Sequence, residues 1–167
     1  MKIAISGKMC SGKTTLANKI KEEDNRYKIY SFGSKVKELA TDLFGMDINN
    51  KDRSLLISIG TKMREINTDV WVNYILEKTK DEEFCIIDDL RFQNELDLLE
   101  KNNWKIIHLD IDKQLQIERI KNIYINYQDH IKNIDDLSEK LDLKYKNDYI
   151  LIKNNQINGS ILSNIQT

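Results

Sequence analysis

A chain of 167 residues is long enough for one domain with a real core. Charged residues make up 32% of it, yet the signs cancel to a net charge of −1, so the basic excess of a duplex-binding protein is missing and long nucleic acids are not expected partners. No apolar run reaches the roughly 18 residues of a membrane span, and the opening MKIAISGK reads as a buried strand rather than a signal peptide, so no membrane partner is expected.

Residues 2–6 form an apolar, β-prone run that leads directly into Gly7-Lys8-Met9-Cys10-Ser11-Gly12-Lys13-Thr14. Residues 13–23 read as a helix with Leu16, Ala17 and Ile20 inward, and 27–32 as a second strand. The clearest helix is 34–44, where Val36, Leu39, Ala40, Leu43 and Phe44 recur at helical spacing and Gly45 stands ready to end it. Another helix spans 52–66, and Asp69 is placed to cap the next, which carries Trp71, Val72, Ile75 and Leu76. Residues 84–87 are a short apolar strand ending in Asp88-Asp89, followed by a helix over 92–101. A fourth strand at 105–109 and a helix at 112–124 come next; then 126–146 is polar and without clear period. A fifth strand at 149–152 and a short helix at 160–165 close the chain. Short apolar strands alternating with helices predict an α/β domain whose parallel sheet is covered on both faces. No repeat or composition break marks a second domain.

The pattern G-x-x-x-x-G-K-[ST] between a buried strand and an amphipathic helix predicts a phosphate-binding loop. Gly7 and Gly12 let the backbone curl its N–H groups toward phosphates, and the helix N-terminus adds partial positive charge. Lys13 is expected between the β- and γ-phosphates of ATP, Thr14 on Mg²⁺, and Lys8, Ser11 and Thr15 along the loop. The acids Asp88 and Asp89 end a strand where P-loop proteins hold Mg²⁺. Strict alternation sends them to opposite faces, so one is expected to face metal or substrate and the other to cap the following helix or face away.

Positive charge is carried by 21 lysines and only five arginines, which singles the arginines out. Arg91 follows the acids at the ligand-binding edge of the sheet, and Arg64 ends a helix; a guanidinium holds phosphate oxygens bidentately, so both are expected to clamp a phosphate. Arg119 is a third candidate, while Arg53 and Arg26 are expected on solvated faces. Phe32 and Trp71 are candidates to stack on a base or to be buried. His108 reads as a core or sheet-edge residue. Cys10 and Cys85 have neither metal-ligand nor disulfide spacing, which makes a reducing cytosol the default compartment, the host's for a viral chain.

The chain resembles the deoxynucleoside monophosphate kinases of large DNA viruses and bacteriophages, members of the P-loop NMP-kinase superfamily. The likeness rests on the loop and on Ile59-Gly60-Thr61-Lys62-Met63-Arg64-Glu65 with Asp69-Val70-Trp71-Val72-Asn73. It also rests on Asp89-Leu90-Arg91-Phe92-Gln93-Asn94-Glu95, with a weaker match at Ser138-Glu139 and from Asp148 to Asn154. It implies ATP-dependent, Mg²⁺-assisted phosphoryl transfer to a (deoxy)nucleoside monophosphate, on a three-layer fold with a five-stranded parallel sheet. A helical NMP-binding region about residues 34–75 and a lid about 112–146 come with it. Arg64 and Arg91 would hold the acceptor phosphate, and Arg119 would be a lid arginine beside Lys113, Lys121 and Lys132. Asp89 would stand with Lys13 and Arg91 at the reacting centre. A homodimer is left open. Two other functions fit the same motifs: a different small-molecule kinase of the phosphomevalonate kinase kind, and a nucleotide-binding switch, although no N-K-x-D guanine reader is present.

Overall fold

The computed structural model describes residues 1–125, 127–132, 134, 141–154, 156 and 160–166. Ser138 and Glu139 of the resemblance, with part of the expected lid, lie outside the described residues, as does the side chain of Lys132. The elements run β1 (Lys2–Gly7), α1 (Lys13–Glu23), β2 (Lys28–Tyr30), α2 (Phe32–Phe44), α3 (Arg53–Ile66), α4 (Val70–Lys78) and β3 (Cys85–Leu90). They continue with α5 (Gln93–Lys101), β4 (Lys105–Asp110), α6 (Lys113–Ile123), α7 (Tyr127–Lys132), β5 (Ile150–Lys153) and α8 (Ile161–Gln166).

All pairings are parallel, in the order β2-β3-β1-β4-β5, so β1 is central and delivers the loop that follows it to the middle of the sheet's C-terminal edge. Parallel strands require crossovers, and the helices that make them cover both faces. Along β1 the side chains alternate: Ile3 and Ile5 pack with Leu16, Ala17 and Ile20 of α1 and with Ile161 and Ile165 of α8, while Ala4 packs with Trp71, Val72 and Ile75 of α4 and Leu96 and Leu99 of α5. That is the three-layer α/β architecture expected of a P-loop kinase fold.

Two strand ends differ by more than one residue from the sequence expectation. The second strand ends at Tyr30 rather than at 32, because Ser31 takes an extended conformation (φ −144°) and Phe32 begins α2. The cause is tertiary: Asp89 on β3 accepts the N–H groups of Phe32 (2.8 Å) and Gly33 (2.9 Å), supplying from another strand the cap bond that the Ser31 side chain does not make. The third strand continues through Leu90, taking in both acids. Other ends follow local chemistry. Asp52 caps α3 by accepting the Leu55 N–H at 2.9 Å, and Gly45 ends α2 in the left-handed region at φ 67°. Asp69 occupies the N-cap position of α4 without a side-chain cap bond; its Oδ1 instead accepts from Asn94 Nδ2 of α5 at 2.9 Å.

After the polar segment the chain returns to the body. Gln93 exchanges two hydrogen bonds with the backbone of Lys144 (3.0 and 2.8 Å), and Glu100 accepts from the N–H groups of Lys146 and Asn147. Leu143 and Tyr145 pack on the α4–α5 side of the core. His108 lies on β4, where its Nδ1 meets Ser6 Oγ at 2.9 Å and the Tyr145 hydroxyl at 2.8 Å. Burial lowers its pKa, which favours the neutral ring. Cys85 is buried, and burial pushes its thiol up to about 11. No described helix is long and apolar enough to cross a membrane.

Candidate active site

The loop between β1 and α1 has the backbone its glycines permit. Gly7 (φ 149°) and Gly12 (φ 98°) adopt angles that L side chains rarely take, and Cys10 joins them at φ 60°. A Cβ at Gly7 would stand 2.6 Å from Ser11 Oγ and 2.7 Å from the Leu109 carbonyl oxygen. Gly7→Ala is therefore expected to cost at least about 2 kcal/mol through strain and overpacking, read as a lowered Tm together with lost nucleotide binding. Unchanged melting would show that the loop has another conformation within reach.

Lys13 is 9% exposed, and its Nζ donates to the carbonyl oxygens of Gly7 (2.7 Å) and Lys8 (2.8 Å), which hold the ammonium inside the curl of the loop. Ser11 Oγ is buried with no hydrogen-bond partner among the described residues, an orphan of the kind a phosphate oxygen satisfies. From the other side α6 steadies the loop: Gln116 Nε2 donates to the Met9 carbonyl (2.9 Å) and Arg119 Nη1 to that of Cys10 (3.0 Å). Arg119 thus stands beside the loop. Gln116, 1% exposed, escaped the sequence reading because a glutamine on a helix carries no signal of its own.

The acids at the end of β3 take different partners. Alternation predicts opposite faces, and Asp88 turns to Thr14 of α1 while Asp89 turns to the first turn of α2 on the other face; at the strand's end both line one cleft. The alternation breaks one step later: Ala4 pairs with Ile87 and Ser6 with Leu90, so three steps along β3 match two along β1, a β-bulge. Cys85, Ile87 and Leu90 accordingly share one core cluster, with the spacing changing from two to three across the acids. Asp88 Oδ2 accepts from the Thr14 hydroxyl at 2.8 Å, while both oxygens of Asp89 are taken by the α2 N-terminus. Burial raises the Asp89 pKa, against which those two N–H bonds work. The two acids thus take different partners on opposite faces of the strand.

The cleft has a volume of about 660 Å³ and runs from Lys13 and Thr14 past the two acids to Arg64 and Arg91. Val36, Leu56 and Ile57 give it an aliphatic wall between α2 and α3. Phe32 (4% exposed) and Trp71 (3%) also contribute, but both belong to the core. The Trp71 indole N–H donates to the Gly60 carbonyl at 3.2 Å, which fixes the ring edge-on to α3. Arg64 stacks on Phe92 (4.1 Å to the ring centroid) and meets Glu95 Oε1 at 3.4 Å. Arg53, expected on a solvated face, is exposed but lines the cleft mouth and reaches His130 of α7 at 3.0 Å. Arg26 is exposed and pairs with Asp24 at 2.7 Å, as expected.

Thr14 and Asp88 offer a hydroxyl and a carboxylate oxygen side by side, a donor set that fits Mg²⁺, which takes one or two protein oxygens and the rest from phosphates and water.

Comparison with solved structures shows the same fold in small kinases. A putative kinase from Chloroflexus aurantiacus superposes with a TM-score of 0.56 at 16% identity, covering 99% of this chain and 95% of that one. A sugar kinase from Janibacter gives 0.55 at 14% (93% and 86% covered), and shikimate kinase from Aquifex aeolicus 0.52 at 19% (94% and 88%). At such identities the likeness is one of fold. A search of curated protein sequences finds no match. The family comparison spans most of the chain: across residues 3–149, from the second residue of β1 to the approach to β5, the sequence matches the AAA domain family, and the protein belongs to it.

Proposed function

We propose that the protein is a nucleoside monophosphate kinase, moving the γ-phosphoryl group of ATP to a ribo- or deoxynucleoside monophosphate. One observation carries the reading: the phosphate loop with its buried Lys13 and the arginine pair Arg64 and Arg91 line one continuous cleft, giving a donor end and an anion-binding acceptor end. In this reading ATP lies along the loop, held by its N–H groups, Lys8, Ser11, Thr14 and Thr15. The acceptor phosphate lies against Arg64 and Arg91. The aliphatic wall of Val36, Leu56 and Ile57 suits the flat, apolar faces of a base better than a small acceptor bearing a carboxylate besides its phosphate, which favours this over the phosphomevalonate kinase alternative.

Phosphoryl transfer needs alignment and charge stabilisation more than a strong base. Lys13 stabilises charge on the transferring group. Thr14 and Asp88 would hold Mg²⁺, which when bound neutralises phosphate charge. Asp89 keeps α2, the start of the acceptor arm (residues 34–75), fixed to the sheet. Arg119 stands at the loop from the lid side (112–146), whose closure would exclude the water that competes as acceptor.

The test is ADP release with Mg-ATP against all ribo- and deoxynucleoside monophosphates, with phosphomevalonate as control. Turnover dependent on one or several monophosphates supports the proposal; turnover with phosphomevalonate alone replaces it; ATP binding without any acceptor-dependent turnover leaves a nucleotide-binding switch. In the active protein, Arg64→Ala and Arg91→Ala are each expected to raise the acceptor KM by about 10- to 100-fold, the loss of a charge-assisted contact, while moving the ATP KM less than threefold. A change confined to the ATP KM would reverse the two ends of the cleft.

A further inference from the structure

Glu95 is a carboxylate where the fold does not need one for its core. It sits on the first turn of α5, is 2% exposed, and lines the cleft. Buried carboxylates without partners are costly, so its contacts define its role. Oε2 accepts the backbone N–H groups of Arg91 and Phe92, each at 3.1 Å, and Oε1 lies 3.4 Å from Arg64 Nη2. The bond to Phe92 caps α5 and is the ordinary part. The other two are not required by the helix: they attach one side chain to both arginines of the acceptor end, one through its backbone and one through its guanidinium.

The surroundings complete the fixture. Arg64 has three constraints: Glu95 at one nitrogen, the Gly60 carbonyl at the other (3.3 Å), and the Phe92 ring beneath its plane. Phe92 is itself held by Glu95, so the carboxylate sets the ring and the guanidinium stacked on it together. Gly60 O also receives the Trp71 indole N–H, which ties the set to the core. Arginine pays a large side-chain entropy cost on binding an anion unless it is already ordered.

We infer that Glu95 is a positioning residue for the acceptor site, pre-ordering Arg64 and the Arg91–Phe92 turn so that both arginines meet the acceptor phosphate together. This rests on the proposed kinase reading only in the identity of the anion. The charge matters as well as the shape. Burial raises the Glu95 pKa to about 7, opposed by the Arg91 and Phe92 N–H groups and Arg64 and reinforced by Asp89. The charged groups facing it are thus Arg64 from α3, Asp89 from β3 and Arg91 from the turn. A carboxyl of this kind is neutral below about pH 7 and ionised above it, and only the ionised form holds Arg64 by charge. Acceptor capture is therefore expected to improve as pH rises through that value.

The experiment is Glu95→Gln, isosteric but uncharged, with Glu95→Asp as a second variant that keeps the charge and withdraws it from Arg64. The first readout needs no acceptor: the side-chain Nε–H resonances of the five arginines in ¹⁵N-labelled protein, with Arg64 assigned by Arg64→Lys. In the native protein Arg64 is expected to be slowest to exchange with water among cleft arginines; both variants should accelerate it at least about fivefold without changing the fold. An unchanged Arg64 resonance in either folded variant overturns the inference. The second readout is kinetic. Glu95→Gln should raise the acceptor KM about 10-fold, leave the ATP KM within twofold, and remove the rise in kcat/KM for the acceptor near pH 7. The phosphate's own ionisation near pH 6 should remain. Equal changes in both KM values, or an unaltered pH profile, would reduce Glu95 to a helix cap. If Arg64 loosens as expected but no monophosphate is turned over by the native protein, the kinase reading fails and the positioning role stands.

Discussion

Replacing Lys13 by alanine is expected to lower kcat by at least about 100- to 1,000-fold, the scale seen when one preorganised donor to a developing charge is removed. The structure explains why no neighbour can substitute. The Lys13 ammonium is enclosed by the loop it belongs to, its Nζ resting on the Gly7 and Lys8 carbonyl oxygens, and other lysines near the loop start from more open positions. Arginine should not rescue it, because a planar guanidinium is larger than the point charge this curl admits. The check is ADP release at saturating substrates, with circular dichroism to confirm the fold. Near-normal turnover in a folded variant would remove the loop from the chemistry altogether.

Asp88→Asn should have the next largest effect, and comparison with Asp89→Asn makes it informative. Asp88 accepts from the Thr14 hydroxyl, so asparagine can keep that bond while losing the charge a divalent cation needs. The expected outcome is a kcat lowered about 100-fold and a Mg²⁺ requirement shifted upward about 10-fold. Asp89→Asn should behave differently. Its oxygens hold the first turn of α2, and an amide retains one acceptor but not two, so the loss belongs to stability, about 1 kcal/mol on the scale of a helix cap. Titrating turnover against Mg²⁺ for both variants, beside their melting curves, separates the two. If Asp89→Asn moved the Mg²⁺ midpoint and Asp88→Asn did not, the assignments would be exchanged.

Much of this was legible in the sequence because it is local. The phosphate loop announces itself by glycines that only their backbone angles justify. The five strands announce themselves as short apolar runs, and the helix at 34–44 by its period and its terminating glycine. Scarcity drew attention to the arginines, and Arg64 and Arg91 line one cleft. What stayed hidden depends on pairing between distant segments. The start of α2 was placed two residues late because its cap comes from Asp89, 56 positions away from Gly33. Arg53 could not be placed in the cleft because its partner His130 lies 77 positions on. Glu95 sat in plain view within D-x-R-F-x-N-E, but nothing local distinguishes a glutamate that caps a helix from one that also aligns an arginine on α3. The alternation rule holds through Asp88-Asp89 and breaks at Leu90, because it holds only while the register does, and register is a property of two strands.

That irregularity in β3 has an implication for how the chain can change. Between Ile87, which faces Ala4's partners, and Leu90, which rejoins them, the strand spends one residue more than its neighbour. Everything downstream is phased by that surplus, including Arg91 and the turn into α5. Deleting a single residue at 88 or 89 would leave either acid available in sequence, yet it would rotate the remaining one and all that follows relative to the loop. Substituting either acid perturbs one function; shortening the stretch perturbs the alignment of both ends of the cleft at once. At that point the number of residues matters before their identity.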